Sequence, residues 1–398
     1  MISAREARDI ILENVGVLES VTVSLPRSLG YALAEDIVAD DNVPSFDNSS
    51  MDGFAVRSEN VRTAPVVLEI VGEIPAGTTA EQPLESGQAM SIMTGAKIPQ
   101  GSDAVVQVEW TERIDGKHVK VLRSVPAGHV IRRTGGDIEK GACALAKGQT
   151  IRPQEIGVLA SLGNQFVQVY RPARVALLAT GDELVAVNKR LPEGKIRNSN
   201  TYTLQALVHE CGCEAIDLGI AKDSRDEIKS KIIEGLRADV LITSGGVSVG
   251  KFDLVIDILR ELGVEVKFWK VNIKPGMPLV FGVHGLRSVF GLPGNPVSTM
   301  VTFLKFVKPA LRKMMGHGII DKELKLRATL QHEITKSDGK RHFARGILES
   351  QNGMMTVRST GSQLSNVLSS LTKANCLIIL PEEKDRFAQG EEVEVELV

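Results

Sequence analysis

From residue 173 onward the chain alternates between two hydrophobic periods, and that alternation most narrows the folds open to it. RVALLATGDEL and ADVLITSGG are short apolar runs bounded by turn formers, as strands covered on both faces are. TYTLQALVHECG, entered from Asn198-Ser199-Asn200, and FDLVIDILRELG carry apolar residues at helical spacing. EAIDLGI, VEVKFWKV, PLVFG and SVFGLPG add strands. SRDEIKSKIIEGL adds a helix with Ser224 and Glu227 at capping-box spacing, and a last helix runs to about Met315. This order predicts a parallel, doubly wound α/β sheet over 173–320. In such a sheet ligands bind beyond the carboxyl ends of the strands.

Glycine-rich stretches fall at those ends: TSGGVSVG at 243–250, IKPGMP at 273–278 and GLPGNPVS at 291–298. Glycine lets a ligand approach the backbone closely, so its amides can bind anion oxygens. The first stretch offers Ser244, Gly245, Gly246, Ser248 and Gly250, the serines adding hydroxyl donors. The second offers Pro275, Gly276 and Pro278; the third offers Pro293, Gly294, Asn295, Pro296 and Ser298. Any one could be only a tight turn between strand and helix. Together in one α/β unit they predict a large site for a phosphorylated or oxyanionic ligand. Neither the GK[ST] ending of a Walker A loop nor a GxGxxG fingerprint is present.

Charged residues stand at the same ends. Lys270 and Lys274, four apart in an expected extended segment, can face one side and hold an anion. Glu183, Asp223 and Asp253 each follow an expected strand. Carboxylates beside a phosphate loop suit Mg²⁺, which takes a few carboxylates plus phosphate oxygens. The alternative for Asp182 and Asp223 is a helix cap or a turn residue. Asp52, in the polar stretch NSSMDGFAV, reads as a site residue or as an Asp-Gly turn.

The rest of the chain has different textures. Ser3 and Glu6 open a helix faced by Ala7, Ile10, Ile11, Val15 and Leu18. Short β-like runs at 66–71, 89–93, 104–108 and 118–122 predict a β-rich insert over 45–136. EIGVLASLG, between Pro153 and Gly163, predicts a short helix in a mixed domain formed by 1–44 and 137–172. LKLRATLQHEI, HFARGILES, GMMTVRS, NCLIILP and EEVEVEL predict an all-β domain over 321–398 without helices. A chain of 398 residues suits several such units. A net charge of −2 does not favour nucleic acid as main partner; Arg132-Arg133 reads as a solvated turn. Cys211 and Cys213 lack a second Cys or His pair at zinc spacing, so buried thiols at a helix end are expected. The first fifteen residues contain no signal-peptide h-region and no run reaches membrane-span length, so a cytoplasmic protein is expected.

The motifs in order resemble the MoeA-like molybdopterin molybdenumtransferases, whose relatives include the E domain of gephyrin. PSFDNSSMDGFAV is similar to that family's PxFDNSAMDGYAV, and IMTGAKIPQGSDAVVQVE to its MTGAxxPxGADAVVxxE. IRRTGGDIEKG, RPQEIGVLASLG, LLATGDEL, TSGGVSVGKFD, FWKVNIKPGMP, VFGLPGNPVSTMVTF and GSQLSNVLSSLTKAN follow in family order. The resemblance implies an elongated homodimer of four-part subunits, with an α/β domain like the adenylyltransferases of the MogA type. It implies insertion of molybdate into adenylylated molybdopterin with Mg²⁺-dependent release of AMP. It also implies handover from a molybdopterin adenylyltransferase and to molybdoenzyme maturation proteins. Asp52, Thr94, Asp137, Glu183, Asp223 and Asp253 match functionally important polar positions, with Mg²⁺ at Asp223 and Asp253. Lys270 and Lys274 match anion-binding lysines; Ser298, Arg345 and Ser365 match positions around molybdate. Asp52 and Thr94 would reach the site from the partner's insert. The chain departs at Met277, where the family often has a second lysine, and at Arg197-Asn198. Two rival readings are an adenylyltransferase and a pterin-binding scaffold without catalysis.

Overall fold

A computed structural model of the protein describes residues 1–246, 254–318, 326–351 and 353–398. The sheet of the α/β unit runs Glu214–Ala221, Arg174–Thr180, Val240–Ser244, Arg287–Leu292, Val280–His284, Glu265–Phe268. The first four strands are parallel. Val280–His284 runs against them, and Glu265–Phe268, antiparallel to it, runs with the first four again, which corrects the all-parallel expectation. The reason is local: only Gly285 and Leu286 separate Val280–His284 from Arg287–Leu292, which permits a hairpin but no crossover helix.

Alternate residues of Arg174–Thr180 show why the sheet is covered twice. Val175 and Leu177 pack with Leu204 and Val208 of one helix, whereas Ala176 and Leu178 pack with Ile228, Ile232 and Val255 on the other face. The N-terminal helix Ala4–Glu13 adds Ala4, Ala7 and Ile11 to the first of these cores; its Ser3 hydroxyl accepts the Glu6 N–H at 3.1 Å. At Ser224 the expected capping box does not form: the side chain makes no cap bond, and the Ser224 N–H closes on Lys222 O instead. The expected helix to Met315 is broken by a wider turn at Phe303–Val307. Pro309 has no N–H to offer the carbonyl of Lys305, so a regular ladder cannot pass through.

Three two-stranded ladders lead into and out of the insert, pairing Ser20–Ser24 with Phe166–Tyr170, Ile37–Val38 with Cys143–Leu145, and Asn48–Ser49 with Ile131–Arg132. The insert is a six-stranded sheet in which Gly53–Val56 lies between Gln88–Ile92 and Ala104–Gln107. That strand was hidden in the polar stretch NSSMDGFAV. A Cβ at Gly53 would meet Val106 O at 2.1 Å, so glycine is required there.

The C-terminal strands close on themselves. Arg341–Gln351 pairs with Met354–Ser359 and with Cys376–Leu380, and Leu326–Leu330 and Glu392–Leu397 complete the barrel. Closure leaves no free edge, but a sixth strand, Ile273–Lys274, adds beside Arg341–Gln351 from the α/β unit. A short helix, Ser369–Thr372, corrects the expectation of no helix after residue 321.

Candidate active site

The glycine stretches do converge. Gly245 donates its N–H to Leu292 O at 3.1 Å, joining the first loop to the strand that leads into the third. Asn200 ties both: its Nδ2 donates to Ser244 Oγ and to Gly294 O, each at 2.8 Å. Gly245 has φ +94°, and a Cβ there would fall 2.5 Å from Thr180 O. Only glycine fits such backbone contact at positive φ. Thr180 is buried beneath this turn, and its hydroxyl has no hydrogen-bond partner among the described residues. Ser248, Gly250 and Asp253 lie outside the described residues.

The second stretch leaves the α/β sheet altogether. VEVKFWKV was expected to run as a strand to Val271, but pairing stops at Phe268, and the chain bends at Trp269 and Asn272. Lys270 and Lys274 therefore do not share one extended run. The bends carry Ile273–Lys274 across to the barrel, in register with Arg341 and His342. Gly276, at φ +102°, then packs so closely on the third loop's helix that a Cβ would sit 2.4 Å from Thr302 Cγ2. Pro275 is buried beside it, and Pro278 is half-buried.

The third stretch meets the barrel as well. Asn295 Nδ2 donates to Ser365 Oγ at 3.0 Å, and the Val297 N–H donates to Ser365 O at 3.1 Å. Behind Ser365 lies Arg345, only 1 % exposed. Its Nε donates to Ser370 Oγ, and its Nη2 to Ser362 O and Leu364 O, at 3.1–3.2 Å. Every one of these acceptors is neutral, and burial pushes the guanidinium down to about 10. A buried cation held by neutral oxygens makes the surroundings receptive to an anion. Ser298 is buried, and Pro293, Gly294, Asn295 and Pro296 form the turn above it. Lys274 is 57 % exposed on its side chain and lies 3.2 Å from Asp338.

The carboxylates sit on the other side. Asp182 and Asp223 accept each other's backbone N–H, at 3.4 Å to Asp223 Oδ2 and 3.2 Å to Asp182 Oδ1. These long bonds leave most oxygen lone pairs open. Glu183 lies over Gly181, whose φ of +145° gives the backbone to the turn; a Cβ would fall 2.4 Å from Glu183 Oε2. Next to the pair is a cleft of about 550 Å³ between Gly181, Pro192 and Glu227, lined by Lys189, Arg190, Lys195 and Lys222. Lys195 Nζ donates to Asp182 O at 2.6 Å.

In the insert, Asp52 and Thr94 come together. Asp52 Oδ1 accepts the Thr94 N–H at 2.7 Å and its hydroxyl at 2.8 Å, and these bonds hold the carboxyl below its ordinary range. Both residues are exposed, as is Asp137, whose N–H donates to Val43 O. No hydrogen bond or ion pair among the described residues joins these three to the glycine loops of the same chain. Cys211 and Cys213 end a helix, as expected; burial pushes their thiols up to about 11 and about 12. Arg132 and Arg133 are exposed, as expected; Arg133 donates to Asp47 at 2.6 Å, and Asp47 also holds the Thr134 N–H and hydroxyl. Sequence reasoning missed Asn200, Thr180 and Asp338. For Asn200 a signal existed, since it opens a helix between two of the strands carrying site loops.

Three family models match in order: the MoeA N-terminal region (domain I and II) at 2–163, a "Probable molybdopterin binding domain" at 176–313, and the MoeA C-terminal region (domain IV) at 327–398. The chain belongs to the MoeA family. A molybdopterin molybdenumtransferase of Haemophilus influenzae is 37% identical to it over 399 residues, covering 100% of this chain and 98% of the relative. One from Bacillus subtilis is 38% identical over 392 residues, covering 96% and 90%. The crystal structure of a molybdopterin biosynthesis MoeA protein from Pyrococcus horikoshii OT3 superposes with a TM-score of 0.87 at 32% identity, covering 100% of both chains.

Proposed function

We propose that this MoeA-family transferase inserts molybdate into the dithiolene of adenylylated molybdopterin, with Mg²⁺-dependent release of AMP, in molybdenum cofactor biosynthesis. The observation that carries this reading is the meeting of three glycine loops, Lys274 and the buried Arg345 at the junction of α/β unit and barrel. Such a junction suits a dianion on one side and a pyrophosphate on the other.

In this reading molybdate lies among Lys270, Lys274, Ser298, Ser365 and Arg345. The loop amides of Gly246 and Gly294 take phosphate oxygens, the Gly245 N–H being held by Leu292 O, and the cations of the cleft beside Gly181 attract the substrate's negative charge. Asp223 and Asp253 hold Mg²⁺, and Glu183 orients a water or the metal's surroundings. The Asp223 carboxylate fits that ion: hard oxygens, with only one long bond accepted from the Asp182 N–H. When bound, Mg²⁺ neutralises charge on the leaving phosphate.

Asp52 and Thr94 complete the site from the insert of a second copy of the chain in a homodimer. Their exposure and their bond to each other, rather than to any described residue of the glycine loops, support that role. The domain limits we propose are 1–44 with 137–172, 45–136, 173–320 and 321–398, and the location is cytoplasmic. No described helix is long and apolar enough to cross a membrane. The test is AMP release from adenylylated molybdopterin by the purified protein with Mg²⁺. Release that requires molybdate supports insertion. Tight pterin binding without release would favour a binding scaffold, and adenylylation of molybdopterin from ATP would favour the preceding step.

A further inference from the structure

Lys274 does not face open solvent alone. Its Nζ lies 3.2 Å from Asp338 Oδ2, and the other oxygen of that carboxylate takes His342 Nε2 at 2.7 Å. The three residues meet because Lys274 and His342 stand opposite each other on paired strands, and Asp338 belongs to the turn just before the second strand. That turn is fastened over the lysine. Asn272 Nδ2 donates to Gly339 O at 2.9 Å, the Arg341 N–H donates to Asn272 O at 3.1 Å, and the Lys340 N–H reaches Asp338 Oδ1 at 3.3 Å. The carboxylate thus occupies a position on Lys274 that an incoming oxyanion needs.

We propose that Asp338 is an internal competitor at the oxyanion site, a carboxylate that masks Lys274 and is displaced toward His342 when a tetrahedral oxyanion binds. This rests on the assignment of Lys274 to molybdate made above. Two physical terms act in the same direction. The oxyanion must replace the contact between Lys274 and Asp338, and it must approach a like charge that stays nearby. Both terms are modest, because an ion pair with an ammonium 57 % exposed contributes little. His342, with a side chain only 15 % exposed, gives the displaced carboxylate a partner to keep, so displacement does not strand a charge. The mask therefore sets a threshold: weakly held anions fail to open it, and a dianion that engages Lys274 and the loops together succeeds.

The experiment is equilibrium binding of molybdate, followed by calorimetry, to the full-length protein and to Asp338→Asn, Asp338→Glu and Lys274→Met. Asparagine can still accept from His342 but carries no charge against Lys274. Asp338→Asn is expected to bind molybdate roughly two- to fivefold more tightly than the natural protein, the range set by an exposed ion pair. Asp338→Glu, which keeps the charge, is expected to bind as the natural protein does. Melting curves identify any variant whose fold is damaged, and the glutamate variant then carries the test by tracking charge alone. If Lys274→Met loses molybdate binding while Asp338→Asn binds no more tightly than the natural protein, the mask is refuted and the lysine assignment stands. If Lys274→Met binds molybdate like the natural protein, the lysine assignment itself fails and the mask with it.

Discussion

The two sides of the candidate site are built differently. On the barrel side nearly every polar group is engaged: Arg345 holds three neutral oxygens, Ser365 holds Asn295 and Val297, and Asp338 holds two basic groups. On the rim beside Gly181, the carboxylates of Asp182 and Asp223 accept bonds of 3.2–3.4 Å from each other's backbone, and four cations line an open cleft. The first side is preorganised by the fold, whereas the second has donors and acceptors left over for a ligand. Small oxyanions need fixed geometry, and a large phosphorylated substrate with its metal brings its own charges. The difference separates residues whose loss should damage structure from residues whose loss should damage chemistry alone.

The largest expected effect is on the preorganised side. Arg345→Ala leaves two carbonyls and a hydroxyl without their donor in a buried space, and is expected to lower stability by on the order of 3 kcal/mol in urea unfolding. An unchanged midpoint would break the distinction. On the open side, Asp223→Ala should reduce AMP release on the order of a hundredfold, as expected for loss of transition-state charge stabilisation, with an unaltered melting curve. A mixed population sharpens the comparison further. Asp52→Ala and Asp223→Ala should each be inactive alone. Randomly mixed dimers should recover about a quarter of the activity, because half the dimers are mixed and each has one intact site. No recovery would mean that both residues serve a site within one chain.

Smaller effects follow. Ser365→Ala removes the acceptor of Asn295 and is expected to cost about 1 kcal/mol. Acid provides the finest probe. Burial alone would raise the Asp338 carboxyl, but bonds from His342 and Lys274 outweigh it and hold the group at about 2, against an ordinary 3.8. A depressed carboxyl stabilises the fold above its unfolded value and loses that contribution as pH falls toward about 2. The natural protein should therefore show an acid-dependent loss of stability in that window which Asp338→Asn lacks.

Much of this architecture is legible in the chain because local signals agree with the global fold. The runs at 66–71, 89–93, 104–108 and 118–122 all became strands of the insert, and the barrel strands follow the apolar alternation after residue 325. The Gly53–Val56 strand was hidden because its neighbours are polar turn formers, and its sheet position depends on partners far along the chain. The detour of Ile273–Lys274 to the barrel was equally invisible, since a strand two residues long has no period to read. Among site residues, glycines and lysines stood out by type. Asp338 did not, because nothing in SDGKR distinguishes a carboxylate over Lys274 from an ordinary turn.

Molybdate binding by Asp223→Ala, measured at equilibrium beside its AMP release, tests the separation of the two sides most directly. The expected result is molybdate affinity equal to that of the natural protein together with almost no AMP release. Loss of molybdate binding in this variant, or full AMP release from it, would contradict the account.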